Sequence, residues 1–285
     1  MTLKQWFNLD PIENPSVNNQ WGALHITVLL ICIAACVATY FLRKRSMTLR
    51  VTVIRVLAGI LLLFELTRRT VGLIQMSLGG ADMSFFALLK NDSFWYHILP
   101  RPWCAISVWL VIIAAILNKK VTYNIASMNA IICVIIFFAY PSAGFNNEIM
   151  QFENVYSIST HALLFISAIS MITMGLTEFK YICTKWYNSA IWELAAILLV
   201  FGYAFLQIFV LKIQDNADPL YFMPTGALGY YPANEVQAIL GVSNALYLVL
   251  YIGFLVFYFN LFFLIQLWVD KARAKKEEII LVTEG

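Results

Sequence analysis

Charged residues are scarce in this sequence. Only 12% of its 285 residues are Asp, Glu, Lys or Arg, whereas 61% are hydrophobic, and the mean hydropathy is +0.76. Soluble domains carry about 25% charged residues, so this scarcity excludes a single water-soluble globule and indicates that the chain lies in a lipid bilayer. The net charge of +3 does not indicate nucleic-acid binding, because the basic residues mark one side of the predicted membrane protein rather than one face of a fold.

Disulfide frameworks and metal-binding patterns are lacking as well. The five cysteines lie mostly in apolar stretches, without the spacing of a zinc site or of a disulfide-rich domain. We therefore expect no metal and no cofactor. No small-residue cleavage site precedes the first apolar stretch, and the chain has no internal repeat, low-complexity segment or separate soluble domain. One integral membrane domain is the expected organisation.

What the sequence does contain is a series of apolar stretches near the length of a bilayer-crossing helix, which needs about 20 residues. They predict an all-α polytopic membrane protein with seven transmembrane helices. The predicted spans are 21–42, 50–70, 103–117, 121–140, 156–176, 190–211 and 242–267. An N-terminal segment, residues 1–20, precedes this bundle of residues 21–267, and a tail, residues 268–285, follows it.

Basic residues indicate the orientation. Most of the 19 Lys and Arg residues fall on one side of the seven-helix scheme, and by the positive-inside rule that side is cytoplasmic. The N-terminus is then outside and the C-terminus cytoplasmic. The long connections 71–102, 141–155 and 213–241 also lie outside, which favours the outer face as the functional one.

Cys104 and His161 are the strongest candidates for chemistry. Cys104 follows Pro100 and Pro102, and because proline fits the first turn of a helix, Cys104 is expected about one turn inside a helix mouth. A rise of 1.5 Å per residue from the cytoplasmic ends places Cys104, Glu65 and His161 roughly 22, 22 and 26 Å into a core of about 30 Å. Ionisable groups at such depth are costly, so each is a candidate site residue.

A cysteine beside a histidine suits nucleophilic catalysis. A free thiol is only a small fraction thiolate at neutral pH, and an imidazole can take its proton and later return it to a leaving group. The pair predicts a site that forms an acyl thioester. The structural alternatives are a packing role for the cysteine and an interfacial role for the histidine.

Substrate-binding residues are expected near the same depth. The candidates are Glu65, Arg68, Arg69, Arg101, Tyr203 and Gln207. Glu65 stands one helical turn before Arg68 and Arg69, a spacing that fits an anchor for a lipid phosphate, an orienter of His161 or a self-contained ion pair. Tyr203 and Gln207 share a helix face, which indicates either a cavity lining or ordinary helix packing.

Two short motifs resemble the YwaF family of bacterial integral membrane proteins. Residues 99–104 (LPRPWC) resemble the family's LPLHLC motif, with Arg-Pro-Trp replacing Leu-His-Leu, so the motif's own histidine is absent. Residues 140–141 (YP), an acidic loop and residues 159–164 (STHALL) are similar to its proline, loop and Ser-His-x-Leu-Leu segment. Residues 226–232 (GALGYYP) are similar, more loosely, to its late loop.

The resemblance implies a function. Animal relatives of the family include cysteine acyltransferases of ether phospholipids, and distant relatives hydrolyse fatty acid esters. It implies Cys104 as nucleophile, His161 as base, membrane lipids as substrate and a bacterial plasma membrane as location. We therefore expect a lipid acyltransferase or acyl hydrolase working near the outer leaflet. One alternative is a small transporter or channel without catalytic activity, which the polar residues Glu65, Glu193 and Gln207 at membrane depth suggest. The other alternative is a receptor. The sequence sets no oligomeric state.

Overall fold

The structure is a computed structural model of the chain. It describes residues 1–10, 12–15, 21–100, 103–139, 142–145, 147–180, 193, 195, 198, 199, 202, 203, 206 and 241–284. Within these ranges the regular secondary structure is helical, and no β-strand is present. Five helices there are long and apolar enough to cross a membrane. The described part of the chain is all-α, and its long apolar helices indicate a membrane protein.

The helices differ widely in length. In chain order they are α1 Leu3–Trp6, α2 Ala23–Phe41, α3 Met47–Leu78, α4 Phe85–Leu89, α5 Asp92–Ile98, α6 Trp103–Leu117, α7 Lys120–Ala139, α8 Ser142–Phe145, α9 Phe152–Thr173 and α10 Asn244–Glu284, with a 3-10 turn Leu42–Lys44 after α2. The candidate spans are α2 with this turn, α3, α7, α9 and most of α10.

Five of the seven predicted spans coincide with these long helices. The third, 103–117, is α6, whose 15 residues make a helix about 22 Å long, shorter than a bilayer core of about 30 Å. The sixth, 190–211, lies largely outside the described residues. Seven spans and their orientation across the membrane therefore stay predictions.

Two helices extend beyond the predicted boundaries. Helix α3 continues past residue 70 to Leu78, through a stretch without proline, and Gly79 and Gly80 follow its end; Gly80 has φ +81°, a conformation that favours glycine. Helix α10 runs through the predicted tail to Glu284. Residues 268–284 contain neither Gly nor Pro, so nothing in the local sequence ends the helix earlier.

Helices α3, α6, α7 and α9 pack together, and α2 lies on α9. Small side chains stand at their contacts: Ala114, Ala126, Ala130 and Ala168 are fully buried. Small residues allow close approach of helices, which is how membrane helices associate. Helix α10 packs against a cluster of buried residues that includes Met128 and Ile132 of α7. There the Tyr258 hydroxyl donates to the carbonyl oxygen of Met128 at 2.9 Å.

The N-terminal segment is hydrogen-bonded to the loop before α9. The side-chain amide of Asn14 donates to the Ile149 carbonyl at 2.9 Å and its oxygen accepts from the Ile149 N–H at 2.9 Å. Gln75, in the last turn of α3, donates to the Phe7 carbonyl at 3.1 Å. The start of the chain, the end of α3 and the start of α9 therefore meet at one end of the bundle, here called the N-terminal end.

The opposite end carries basic residues. Arg50, at the start of α3, donates to the Met174 carbonyl just past α9. Lys120, at the start of α7, pairs with Glu178, which also pairs with Lys180 at 3.0 Å. These basic residues are among those from which the sequence predicts a cytoplasmic face at this end.

Candidate active site

The segment that precedes Cys104 in the chain, helix α5, packs against α3. The guanidinium of Arg69 donates to the carbonyl of His97 at the end of α5, at 3.1 Å. The His97 ring occupies the space beside Gly72 that a Cβ atom would need, so glycine is required for α5 to lie this close. The chain then enters α6 at Trp103, directly after the prolines. Cys104 is the second residue of α6, nearer the helix start than the predicted depth of about one turn, and its side chain is partly buried.

His161 lies in the middle of α9 and meets this cysteine. Its Nε2 is 3.0 Å from the Sγ of Cys104. The predicted proximity of the two side chains is confirmed, and the contact joins the first turn of α6 to the middle of α9. His161 is 8% exposed, and burial strengthens a hydrogen bond by lowering the local dielectric.

The other ring nitrogen determines how the imidazole is protonated. Nδ1 of His161 lies 2.6 Å from the backbone carbonyl oxygen of Ser157, one turn earlier in α9. A carbonyl only accepts, so this hydrogen-bond network assigns the proton to Nδ1. In the neutral ring Nε2 is then an acceptor, aimed at the thiol. The orienting group is thus a backbone carbonyl and not a side chain.

Phe137 of α7 fixes the plane of the imidazole. The two rings are stacked, with centroids 3.7 Å apart and planes 4° apart. A flat contact of this kind covers one face of the histidine and opposes rotation of the ring. The imidazole is therefore held by two elements, its own helix and α7.

Sequence reasoning missed two neighbours of the cysteine. The Cys133 thiol of α7 contacts Cys104, and its Sγ is 3.2 Å from the Oγ of Ser107. Both Cys133 and Ser107 are buried. Ser107 stands three residues after Cys104, on the same face of α6, which is the one feature of the sequence that could have indicated it. The Cys133 thiol can donate a hydrogen bond to a thiolate at Cys104 and stabilise it, and the Ser107 hydroxyl holds the Cys133 thiol.

Glu65 and Arg69 form a buried ion pair near this site. Nη2 of Arg69 is 3.0 Å from Oε2 of Glu65, and the Tyr156 hydroxyl donates to the other carboxylate oxygen. The Arg69 guanidinium also lies 5.6 Å from the ring centre of Trp109. The carboxylate thus bonds to α3 and α9 through Arg69 and Tyr156, which is the ion-pair alternative for Glu65 rather than direct orientation of His161.

The remaining candidates are distributed as follows. The Tyr203 hydroxyl donates to the Pro100 carbonyl at 3.3 Å, close to the start of α6. The Arg68 guanidinium lies 5.5 Å from the ring centre of Tyr156. Arg101 and Gln207 lie outside the described residues.

Glu193, which motivates the transporter alternative, is far from Glu65 along the bundle. It accepts a hydrogen bond from the Asn124 amide at 2.7 Å. The same amide bonds to the backbone of Glu178, at the opposite end. Each buried carboxylate therefore has a local partner.

No protein-family model matches the chain, and no curated protein and no solved structure matches it either. The chemistry and geometry of the residues therefore carry the functional assignment.

Proposed function

We propose that the protein is a membrane-embedded acyltransferase or acyl hydrolase that acts on lipid esters, with Cys104 as nucleophile and His161 as general base. The observation that supports this proposal is the 3.0 Å approach of Nε2 to Sγ. The Ser157 carbonyl holds the ring in the tautomer that can accept the thiol proton. Nucleophile, base and orienting group form the arrangement that covalent catalysis uses.

The first half-reaction forms a thioester. Nε2 of His161 takes the thiol proton, and the sulfur attacks the carbonyl carbon of a lipid ester. The tetrahedral intermediate collapses, the carbon–oxygen bond breaks, and the leaving alkoxide takes the proton from Nε2. The acyl group is then bound to Cys104. The second half-reaction reverses the roles: His161 deprotonates a lipid hydroxyl or water, which attacks the thioester, and the thiol recovers its proton.

The surroundings support both steps. The first N–H groups of an α-helix have no partner within the helix, and Cys104 lies in the first turn of α6. Donors at such an end can stabilise a developing oxyanion. Contact with Cys133, itself bonded to Ser107, can stabilise the thiolate.

Membership of the YwaF family belongs to the same proposal. The motifs at residues 99–104 and 159–164 place Cys104 and His161 at the positions that the family resemblance implies for nucleophile and base. The outer leaflet of a bacterial plasma membrane is the location that we propose with it.

Trapping the thioester tests the proposal. The purified full-length protein is incubated with a phospholipid labelled in its acyl chain, and labelled protein is measured before and after hydroxylamine, which cleaves thioesters. We expect label on the wild type, none on Cys104→Ala, and full labelling of Cys36→Ala, which removes another buried free thiol. Equal labelling of the wild type and Cys104→Ala would contradict the mechanism. Solute flux in proteoliposomes that does not depend on Cys104 would favour the transporter instead.

A further inference from the structure

We propose that Arg68 binds the phosphate of the lipid headgroup and so places the ester at Cys104. This proposal rests on the proposed function, because the phosphate belongs to the lipid that Cys104 attacks. It goes further by naming the substrate class as phosphate-bearing lipids and by assigning their recognition to one residue.

The first step is the charge balance beside the site. Glu65 is fully buried and is neutralised by Arg69 at 3.0 Å. Its second oxygen accepts from Tyr156. In the described part of the chain no carboxylate lies within ion-pairing distance of Arg68. Of the two neighbouring arginines, Arg68 therefore carries the uncompensated positive charge.

The second step is hydrogen bonding. Nε and Nη2 of Arg68 are buried, and neither has an acceptor among the described residues. These two nitrogens form one edge of the guanidinium, with their N–H bonds parallel. That edge matches two oxygens of a phosphate, which arginine binds in this bidentate manner. Buried donors normally find a partner, so an oxyanion ligand accounts for the pair.

The third step is position. The guanidinium lies over the Tyr156 ring at 5.5 Å, and Tyr156 precedes His161 by five residues in α9. Five residues correspond to about 7.5 Å along a helix. The anion would thus lie nearer the N-terminal end of the bundle than the Cys–His pair. In a glycerophospholipid the phosphate and the ester carbonyl are joined through the glycerol unit, with the phosphate toward the membrane surface, and this order matches that of Arg68 and Cys104.

The fourth step is rigidity. The Tyr156 ring that carries Arg68 is fixed by its hydroxyl bond to Glu65, and Glu65 is fixed by Arg69. The three residues thus form a support on which the guanidinium is held before a ligand arrives. A preorganised donor pair loses less conformational entropy on binding than a free arginine does.

Binding without turnover tests the proposal. The full-length Cys104→Ala protein in detergent is titrated with short-chain phosphatidic acid, with the diacylglycerol of the same chains, and with inorganic phosphate, and dissociation constants are measured. Arg68→Gln and Arg68→Lys are compared with Arg43→Gln, which removes the same charge from an exposed position at the opposite end.

We expect Arg68→Gln to weaken phosphatidic acid binding at least tenfold. Arg68→Lys should weaken it less, because lysine keeps the charge but lacks the paired donors of the guanidinium. Arg43→Gln should leave the binding unchanged. Diacylglycerol should bind all variants equally. Unchanged phosphatidic acid binding in Arg68→Gln would overturn the proposal. If inorganic phosphate binds as tightly as the lipid does, the site takes a free anion and the headgroup assignment is wrong.

The two proposals fail separately. These titrations need no reactive thiol, so a failure of thioester trapping leaves their outcome intact, and an unchanged Arg68→Gln variant leaves Cys–His chemistry intact. The unfolding midpoint without ligand shows whether Arg68→Gln is folded. If Arg68→Gln is not folded, the binding constants of Arg68→Lys test the proposal instead. Equal affinity of Arg68→Lys and the parent protein for phosphatidic acid would overturn the bidentate assignment.

Discussion

The ring of Phe137 lies flat on the imidazole of His161, 3.7 Å from centre to centre. Phe138, the next residue, points to a different neighbour, the ring of Phe165 at 5.7 Å. The two phenylalanines are equally buried in the same helix. Substitutions at the two positions therefore separate the effect of supporting the His161 imidazole from the effect of filling the core.

Phe137→Leu should slow acylation of Cys104 roughly ten- to a hundredfold, because a catalytic group displaced by about 1 Å can lose that much rate. Phe138→Leu should change the rate little, although both variants lose core packing. The measurement is the rate of thioester formation at saturating lipid. Equal rates for the two variants would mean that stacking does not position the base.

His161→Ala should lower the acylation rate about 10²- to 10⁴-fold, the usual contribution of a general base. Added imidazole should restore part of the rate in this variant but none in Cys104→Ala. Single-turnover labelling measures both. A histidine with a purely structural role would show no rescue.

Cys133→Ala should lower the acylation rate about fivefold, since one hydrogen bond contributes about 1 kcal/mol. Ser107→Ala should have a smaller effect, because it acts on Cys104 only through Cys133. The pH–rate profile should shift in Cys133→Ala, which loss of packing alone would not produce. Cys36→Ala, another buried free thiol, is the matched control.

Glu65→Gln should destabilise the protein by about 3–5 kcal/mol, because it leaves Arg69 as an unpaired buried charge. Arg69→Met should be costly for the converse reason. The double variant should be destabilised by less than the sum of the two, and the difference measures the coupling of the pair. Additive effects in denaturant unfolding would show that the pair is not coupled.

The opposite end of the bundle predicts a pH dependence. The hydrogen bond from Lys120, and after it that from Lys180, lowers the pKa of the Glu178 carboxyl below its ordinary value. The stabilisation is therefore fully present above the unfolded pKa of about 4.3 and is lost as the pH falls through the lower folded pKa. Glu178 is partly exposed, so the effect should be below about 1 kcal/mol. Unfolding of wild type and Glu178→Gln should differ at pH 7 and converge in acid.

Much of the fold and of the site follows from the sequence, for physical reasons that particular residues illustrate. Apolar length alone predicts five helices that the structure contains, and counting residues along helices brings Cys104 and His161 to one depth. The position of Cys133 beside Cys104 could not be predicted, because a small residue in an apolar helix has no distinctive sequence pattern. Its contact with Cys104 depends on how α6 and α7 are rotated about their axes, which only packing determines.

The shortness of α6 has a consequence for the membrane itself. As the third predicted span, a helix of 15 residues beside neighbours of 20 or more would create a hydrophobic mismatch, which a bilayer relieves by thinning locally. Cys104 stands at the end of this short helix. The lipid surface should dip toward the thiol there, so that headgroups, glycerol esters and water reach the sulfur while the acyl chains stay in the hydrocarbon phase.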